Sequence, residues 1–169
     1  MATDLEKTIE PFILSRDFAV PVETLYHMWS DRDAIIQWWG PKGISTVVAE
    51  LDMRPGGSYL YGMKTPDGME MWGLWRILDM EPLQKLMFIN SFSNAERELT
   101  RHPMNPDWPL ELMTEIRFES IGSGSRVTII WTPHQASDIE KATFDAGRDS
   151  MKMGWGGSLD SLDAVLRKT

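Results

Sequence analysis

An α+β fold, with a curved antiparallel sheet laid against one long C-terminal helix, follows from three features of this sequence. Apolar residues alternate with period two in a series of segments between Ile44 and Pro133. Turn chemistry parts those segments at Pro55-Gly56-Gly57, Thr65-Pro66-Asp67-Gly68 and Ile121-Gly122-Ser123-Gly124. Beyond Pro133 the period lengthens to three and four residues and stays there to the C-terminus.

Phe12 to Val20 suits an edge strand. Pro21 at a helix start, followed by the stripe Val22, Leu25, Met28 and Trp29, predicts a short helix. Asp31 caps a second helical stretch through Trp38, and Gly40-Pro41 closes the pair. From Ile44 to Met53, Val47, Ala49, Leu51 and Met53 alternate with Val48, Glu50 and Asp52, as in a half-buried strand. Tyr59, Tyr61 and Met63 share one face of the next strand. Met69, Met71, Gly73, Trp75 and Ile77 share the matching face of the strand that returns through the Thr65-Gly68 turn, which makes a hairpin. After a break at Glu81-Pro82, Leu86, Phe88, Asn90 and Phe92 alternate with Lys85, Met87, Ile89 and Ser91. Both faces of that strand are fairly apolar, so one side must be covered.

Asn94 to Pro109 carries Pro103, Pro106 and Pro109 among polar residues, too long for an ordinary hairpin connection. It is expected as a surface loop and is the best candidate for a lid. Two more strands, from Leu110 to Ser120 and from Ser125 to Pro133, put Leu112, Thr114, Ile116 and Phe118 on one side with Val127, Ile129 and Trp131. Phe144, Gly147, Met151, Trp155, Ser158, Leu162 and Val165 then trace one helical stripe. The stripe predicts a helix of about thirty residues, ~45 Å long. Gly154, Gly156 and Gly157 each weaken it by about 1 kcal/mol relative to Ala, so close packing, a bend or room for a ligand is expected to offset them.

At 169 residues and 42% apolar content the chain suits one domain, expected over 12–167 with an extension at 1–11. No apolar run reaches the roughly 18 residues a spanning helix needs, and the first residues lack a signal-peptide pattern, so a cytoplasmic protein without membrane insertion is expected. The absence of cysteine excludes disulfides, thiolate metal sites and cysteine nucleophiles. A net charge of −8 disfavours nucleic acid, whose phosphates draw on clustered Lys and Arg.

Trp38-Trp39-Gly40-Pro41-Lys42-Gly43 is the most informative motif. Adjacent tryptophans cannot share a helix line or a strand face, so one anchors the core while the other lines a surface or cavity. With eight Trp and twelve Met in the chain, that argues for an apolar hollow with adaptable walls. The ordered set formed by this motif, Asp52 with Pro55-Gly56-Gly57, Pro66-Asp67-Gly68, Gly73, Glu81-Pro82 to Leu86, Arg101-His102-Pro103-Met104, Trp131-Thr132-Pro133, Met151, Gly154-Trp155 and Leu159-Asp160 resembles the START-like (SRPBCC) superfamily. Within it, the match is to the branch of the activator of the heat-shock-protein-ninety ATPase and its bacterial relatives, from about Phe12 to Leu166. The element order, a strand, two short helices, six strands and a long helix, is that of the helix-grip fold. The resemblance implies a deep hydrophobic cavity between sheet and helix.

The inward faces bring Tyr59, Tyr61, Met63, Met71, Trp75, Phe88, Phe92, Met113 or its neighbours, Met151 and Trp155 toward one volume, with Trp39 as the cavity-side member of its pair. Burying such side chains yields roughly 1.5 to 3 kcal/mol each, so core filling alone explains many of them. Together they form the candidate ligand-binding set, with Arg101, His102 and Met104 as lid residues. Tyr59 and Tyr61 can orient a guest through their hydroxyls. Asp52 and Asp67 are expected to fix turns, and Glu70 and Arg76 to pair on the surface. His27, His102 and His134 are too scattered to hold a metal. His102 is a candidate proton-transfer group or latch, against a plain role in loop packing. No catalytic residue, metal or cofactor is assigned. The expected function is noncatalytic binding of a small hydrophobic or aromatic ligand. The alternatives are a cochaperone-like contact, as the family name suggests, and a polyketide-cyclase-like enzyme; a homodimer or a chaperone would be the macromolecular partner.

Overall fold

The computed structural model describes residues 9–40 and 43–168. The extension expected at 1–11 therefore lies outside the described residues up to position 8, as do Pro41 and Lys42 of the Trp-pair motif. The chain runs β1 (Phe12–Phe18), α1 (Val22–Ser30), α2 (Arg32–Ile35), β2 (Ser45–Leu51), β3 (Ser58–Lys64), β4 (Glu70–Glu81), β5 (Lys85–Ser93), β6 (Leu99–Thr100), β7 (Leu112–Ile121), β8 (Gly124–Pro133), α3 (Asp138–Ala146) and α4 (Arg148–Leu166). All strands join one antiparallel sheet in the order β1-β8-β7-β5-β4-β3-β2, with β6 paired to β5 off this path. This is the α+β helix-grip architecture expected. No described helix is long and apolar enough to cross a membrane.

Local chemistry sets the two short helices. Pro21 precedes α1 in an extended conformation, and Val22, Leu25, Met28 and Trp29 are its buried residues, as the stripe predicts. Asp31 caps α2 by accepting the Ala34 N–H at 3.0 Å. Asp31→Ala is expected to cost ~1 kcal/mol of unfolding free energy, read as a lower denaturant midpoint at unchanged slope.

The inward sheet face carries the alternation read from the sequence: Leu112, Thr114, Ile116 and Phe118 of β7 and Val127 and Ile129 of β8 are all buried. They meet Met151, Trp155, Ser158, Leu159, Leu162 and Leu166, the buried side of α4. Two register shifts interrupt the ladder, between Thr46 and Val48 in β2 and between Ile77 and Asp79 in β4. Each leaves an apolar residue outside, Val47 at 53% and Leu78 at 44% exposure. Val47 thus does not share the face of Ala49, because a bulge adds one residue and reverses the alternation while bending the strand.

Four further expectations are corrected. The C-terminal stripe is two helices, with the long one 19 residues rather than about thirty. A capping box of Ser137 and Glu140 starts α3, and Gly147 (φ −96°, ψ 12°) breaks the ladder where the Trp108 ring lies against it. A Cβ at Gly147 would come within 3.1 Å of that ring. An extra two-residue strand, β6, forms inside the Asn94 to Pro109 segment, so seven strands follow the short helices. Met113 lies opposite Ile89 on the outer face, and Met69 sits exposed in the hairpin turn.

Both faces of β5 do need cover. Leu60, Leu74 and Ile89 are buried on the outer face, apart from the main core. Arg97, from the turn after β5, reaches Ser58 Oγ at 2.6 Å and Glu50 Oε2 at 2.9 Å across that face. Arg76 and Glu111 pair on the outside as expected of Arg76, while Glu70 accepts from the Trp72 indole at 3.3 Å. Asp52 pairs with the Arg54 guanidinium at 2.7 Å rather than with a backbone amide. Asp67 accepts from Thr65 within its turn.

Candidate functional site: a tryptophan-walled cavity between sheet and helix

The Trp pair diverges as its adjacency requires. Trp38 points into the core at 2% exposure and donates Nε1–H to the Met28 carbonyl at 2.8 Å. Trp39 turns the other way into the cavity wall. Its ring packs edge-on against Trp75 at 4.9 Å, Trp155 at 5.5 Å and Tyr61 at 5.7 Å between centroids. Gly40 follows at φ +102°, and a Cβ there would lie 2.5 Å from Met63 Sδ. The backbone angle is what requires glycine, since the flexible end of Met63 can move aside.

The cavity measures about 470 Å³, in the range of small-molecule sites. The sheet contributes Tyr61, Met63, Met71, Trp72, Asn90, Phe92 and Trp131, and α4 contributes Ser150, Met151, Gly154, Trp155 and Ser158. His102, Asn105 and Trp108 close it from the Asn94 to Pro109 segment. Among the described residues no Asp, Glu, Lys or Arg lines it. A second cavity of about 90 Å³ shares Tyr61, Asn90, Phe92, Trp108 and Trp131 with the first.

Residues 19–167 match the family described as activator of Hsp90 ATPase homolog 1-like protein. The chain belongs to that family. Similar solved structures include a protein from Mycobacterium smegmatis (25% identity, TM-score 0.71, covering 91% of this chain and 88% of that one). A protein from Arthrobacter aurescens shares the fold at 21% identity and a TM-score of 0.76 over 100% of this chain and 94% of that one. A Silicibacter pomeroyi structure that bears the family's name does so at 22% identity and 0.73, covering 93% and 97%. No curated protein matches the chain in sequence.

In this member of the family the sequence-derived set divides in two. Trp39, Tyr61, Met63, Met71, Phe92, Met151 and Trp155 come together on the cavity wall. Tyr59, Trp75 and Phe88 do not reach it; each has 0% exposure, and Trp75 stacks on Phe88 at 3.9 Å. Strand alternation assigns a face but not a depth, and these three occupy the sealed part of the same face. The walls are tryptophan more than methionine: Met63, Met71 and Met151 line the cavity, while Met104 and Met153 are exposed at 85% and 78%. Sequence reasoning passed over Asn90, Trp108 and Trp131 as lining residues. Asn90 and Trp131 were legible from their position on inward faces, whereas Trp108 sits in an irregular segment with no period to read.

That segment is tied down. Trp108 packs against Trp131 at 6.1 Å and Phe144 at 5.9 Å, and His102 lies edge-on to Phe92 at 4.9 Å. Arg101 turns outward to Glu140 at 3.0 Å, and the same carboxylate accepts the Leu110 N–H at 2.8 Å. Burial pushes the Glu140 carboxyl up, but hydrogen bonds from Ser137, Leu110 and Arg101 outweigh it and hold the pKa at about 2. His102 accepts the Met104 N–H on Nδ1 at 3.0 Å, and burial lowers its pKa. His102 thus packs within the loop at the cavity wall, and its neighbour Arg101 ties the segment to α3 through Glu140.

One polar point interrupts the apolar wall. Tyr61 Oη donates to Asn90 Oδ1 over a long 3.4 Å. Burial raises the Tyr61 phenol to about 12, against the Trp75 and Trp39 indoles, which favour its ionised form. Tyr61 is therefore a neutral hydrogen-bond donor across the physiological range.

Proposed function

We propose that this protein binds a small, uncharged apolar or aromatic molecule in the cavity between the sheet and α4, without transforming it. The observation that carries this reading is a wall holding the rings of Trp39, Trp108, Trp131 and Trp155 around about 470 Å³, with no charged side chain among the described lining residues. Such a wall takes up a guest through desolvation and dispersion against ring faces. The segment held by Arg101 and Glu140 acts as the lid, with His102 on its inner side.

The test is titration with fluorescent fatty-acid esters and uncharged aromatic probes, followed by tryptophan quenching and thermal shift. Saturable binding with a raised melting temperature is expected, and its absence across both probe classes would remove the reading. Gly154→Leu sharpens the test. Gly154 lines the cavity and a Cβ there has nothing within 4 Å, so a larger side chain enters the guest's space without disturbing the fold. Helix propensity then gives a gain of about 1 kcal/mol in stability, while affinity is expected to drop by about tenfold or more. A variant that is more stable yet binds unchanged would place the guest elsewhere.

A chaperone contact stands second, on the strength of family membership. Trp38 is buried and Trp39 faces the cavity, so the Trp pair offers no partner surface, and Met104 beside Arg101 is the exposed alternative. Retention of this chain on an immobilised Hsp90-type ATPase, lost on Met104→Asp, is the expected result under that reading.

A further inference from the structure

Tyr61 and Asn90 hold more hydrogen-bond donors at the cavity wall than the protein satisfies. The arrangement is built across three strands. Tyr61 on β3 pairs with Gly73 on β4, and Gly73 pairs with Phe92 on β5. A Cβ on Gly73 would overlap Tyr61 at Cζ and Oη, so only glycine lets the ring lie flat across β4 and bring its hydroxyl to Asn90. At 3.4 Å that bond is too long to use the hydroxyl fully. A donor at a cavity wall without a good acceptor costs about 1–3 kcal/mol, so the Tyr61 and Asn90 pair marks a place where an acceptor belongs.

The place is also where a guest reaches. Tyr61 and Asn90 line both the large cavity and the smaller one beside it, and Trp39 lines the large one. The acceptor required is a neutral one. No cation stands among the described lining residues, and a carboxylate stripped of water there would have no counter-charge. A carbonyl oxygen conjugated to a flat ring system meets both demands, since the rings stack on the tryptophan walls while the oxygen takes the donors.

We propose that the cavity is selective for aryl ketones and quinones, with the guest carbonyl seated between the Tyr61 hydroxyl and the Asn90 amide. This deepens the binding reading given above and rests on it. On binding, the Tyr61 O–H turns from Asn90 Oδ1 to the guest oxygen, and Asn90 presents its N–H₂ as the second donor. Gly73 is the positioning residue that makes the pair possible.

Three probes on one flat tricyclic frame separate the possibilities: fluorene, 9-fluorenone and fluorene-2-carboxylate, each titrated into the full chain and followed by tryptophan quenching. The expected order is fluorenone tightest by about tenfold over fluorene, with the carboxylate weakest. Tyr61→Phe and Asn90→Leu are each expected to reduce the ratio of fluorenone to fluorene affinity to about twofold or less, each ratio being taken within one variant. Thermal melting checks that both variants fold, and either alone suffices as the test. The infrared carbonyl stretch of bound fluorenone should lie below its value in an apolar solvent and return toward it in Tyr61→Phe.

Equal affinity for fluorene and fluorenone in the native chain overturns this proposal and leaves the binding reading standing. So does a fluorenone preference that survives both variants, or a carboxylate that binds tightest. Failure of all three probes to bind overturns both.

Discussion

Gly73→Ala is expected to cost about 2–3 kcal/mol of unfolding free energy, although glycine in mid-strand normally gains from the exchange. The added methyl would overlap the Tyr61 ring, which is 7% exposed and boxed in by Trp39 at 5.7 Å and Tyr59 at 5.0 Å. The ring borders the cavity, but a slide toward it would break the contacts with Trp39 and Tyr59 and the hydrogen bond to Asn90. Urea denaturation reads the loss as a lower midpoint at unchanged slope. A thermodynamic cycle identifies the cause. In a Tyr61→Leu background, where the ring is gone, the same Gly73→Ala change should be nearly neutral. Equal costs in both backgrounds would show that Tyr61 does not lie over Gly73.

Glu140→Ala is expected to be comparably damaging and to depend on pH. Its carboxylate serves three sites at once: the Ser137 N–H at 3.1 Å in the capping box, the Leu110 N–H at 2.8 Å and Arg101 at 3.0 Å. The folded pKa of about 2 lies below the ordinary carboxyl value. A group depressed in this way contributes stability above its unfolded pKa and loses it as pH falls through the folded one. Linkage sets a ceiling of ~3 kcal/mol, and solvent screening brings the expected deficit at pH 7 to about 2 kcal/mol. The gap between native and variant chains should hold from neutral pH to about pH 5 and close as pH approaches about 2. Hydrogen exchange at the Leu110 amide supplies a local readout, since its acceptor is removed. A deficit independent of pH would assign the effect to packing.

These two positions differ in how far they could be read in advance. Ser137 followed three residues later by Glu140 has the spacing of a helix start, but Leu110 and Arg101 reach that carboxylate from separate stretches of chain. Nothing in local period links them. Gly73 was placed on the correct face of its strand, yet the reason for a glycine lay in the ring opposite it on β3. The Trp pair was the most legible of all, because adjacency on a turn forces divergence whatever surrounds it.

The amino-acid pattern by itself determined the order of the major elements, the inward faces of β3, β4, β5, β7 and β8, the buried side of α1 and the family. Those follow from local periodicity and turn chemistry, which act over a few residues. Only the tertiary structure decided that Tyr59, Trp75 and Phe88 are sealed in the core while Asn90, Trp108 and Trp131 meet a hollow, and that the last helix breaks at Gly147 beneath Trp108. Depth below a surface, and the room left between a sheet and the helix it holds, depend on contacts between distant segments. Those contacts are set by packing in three dimensions, which no window along the chain contains.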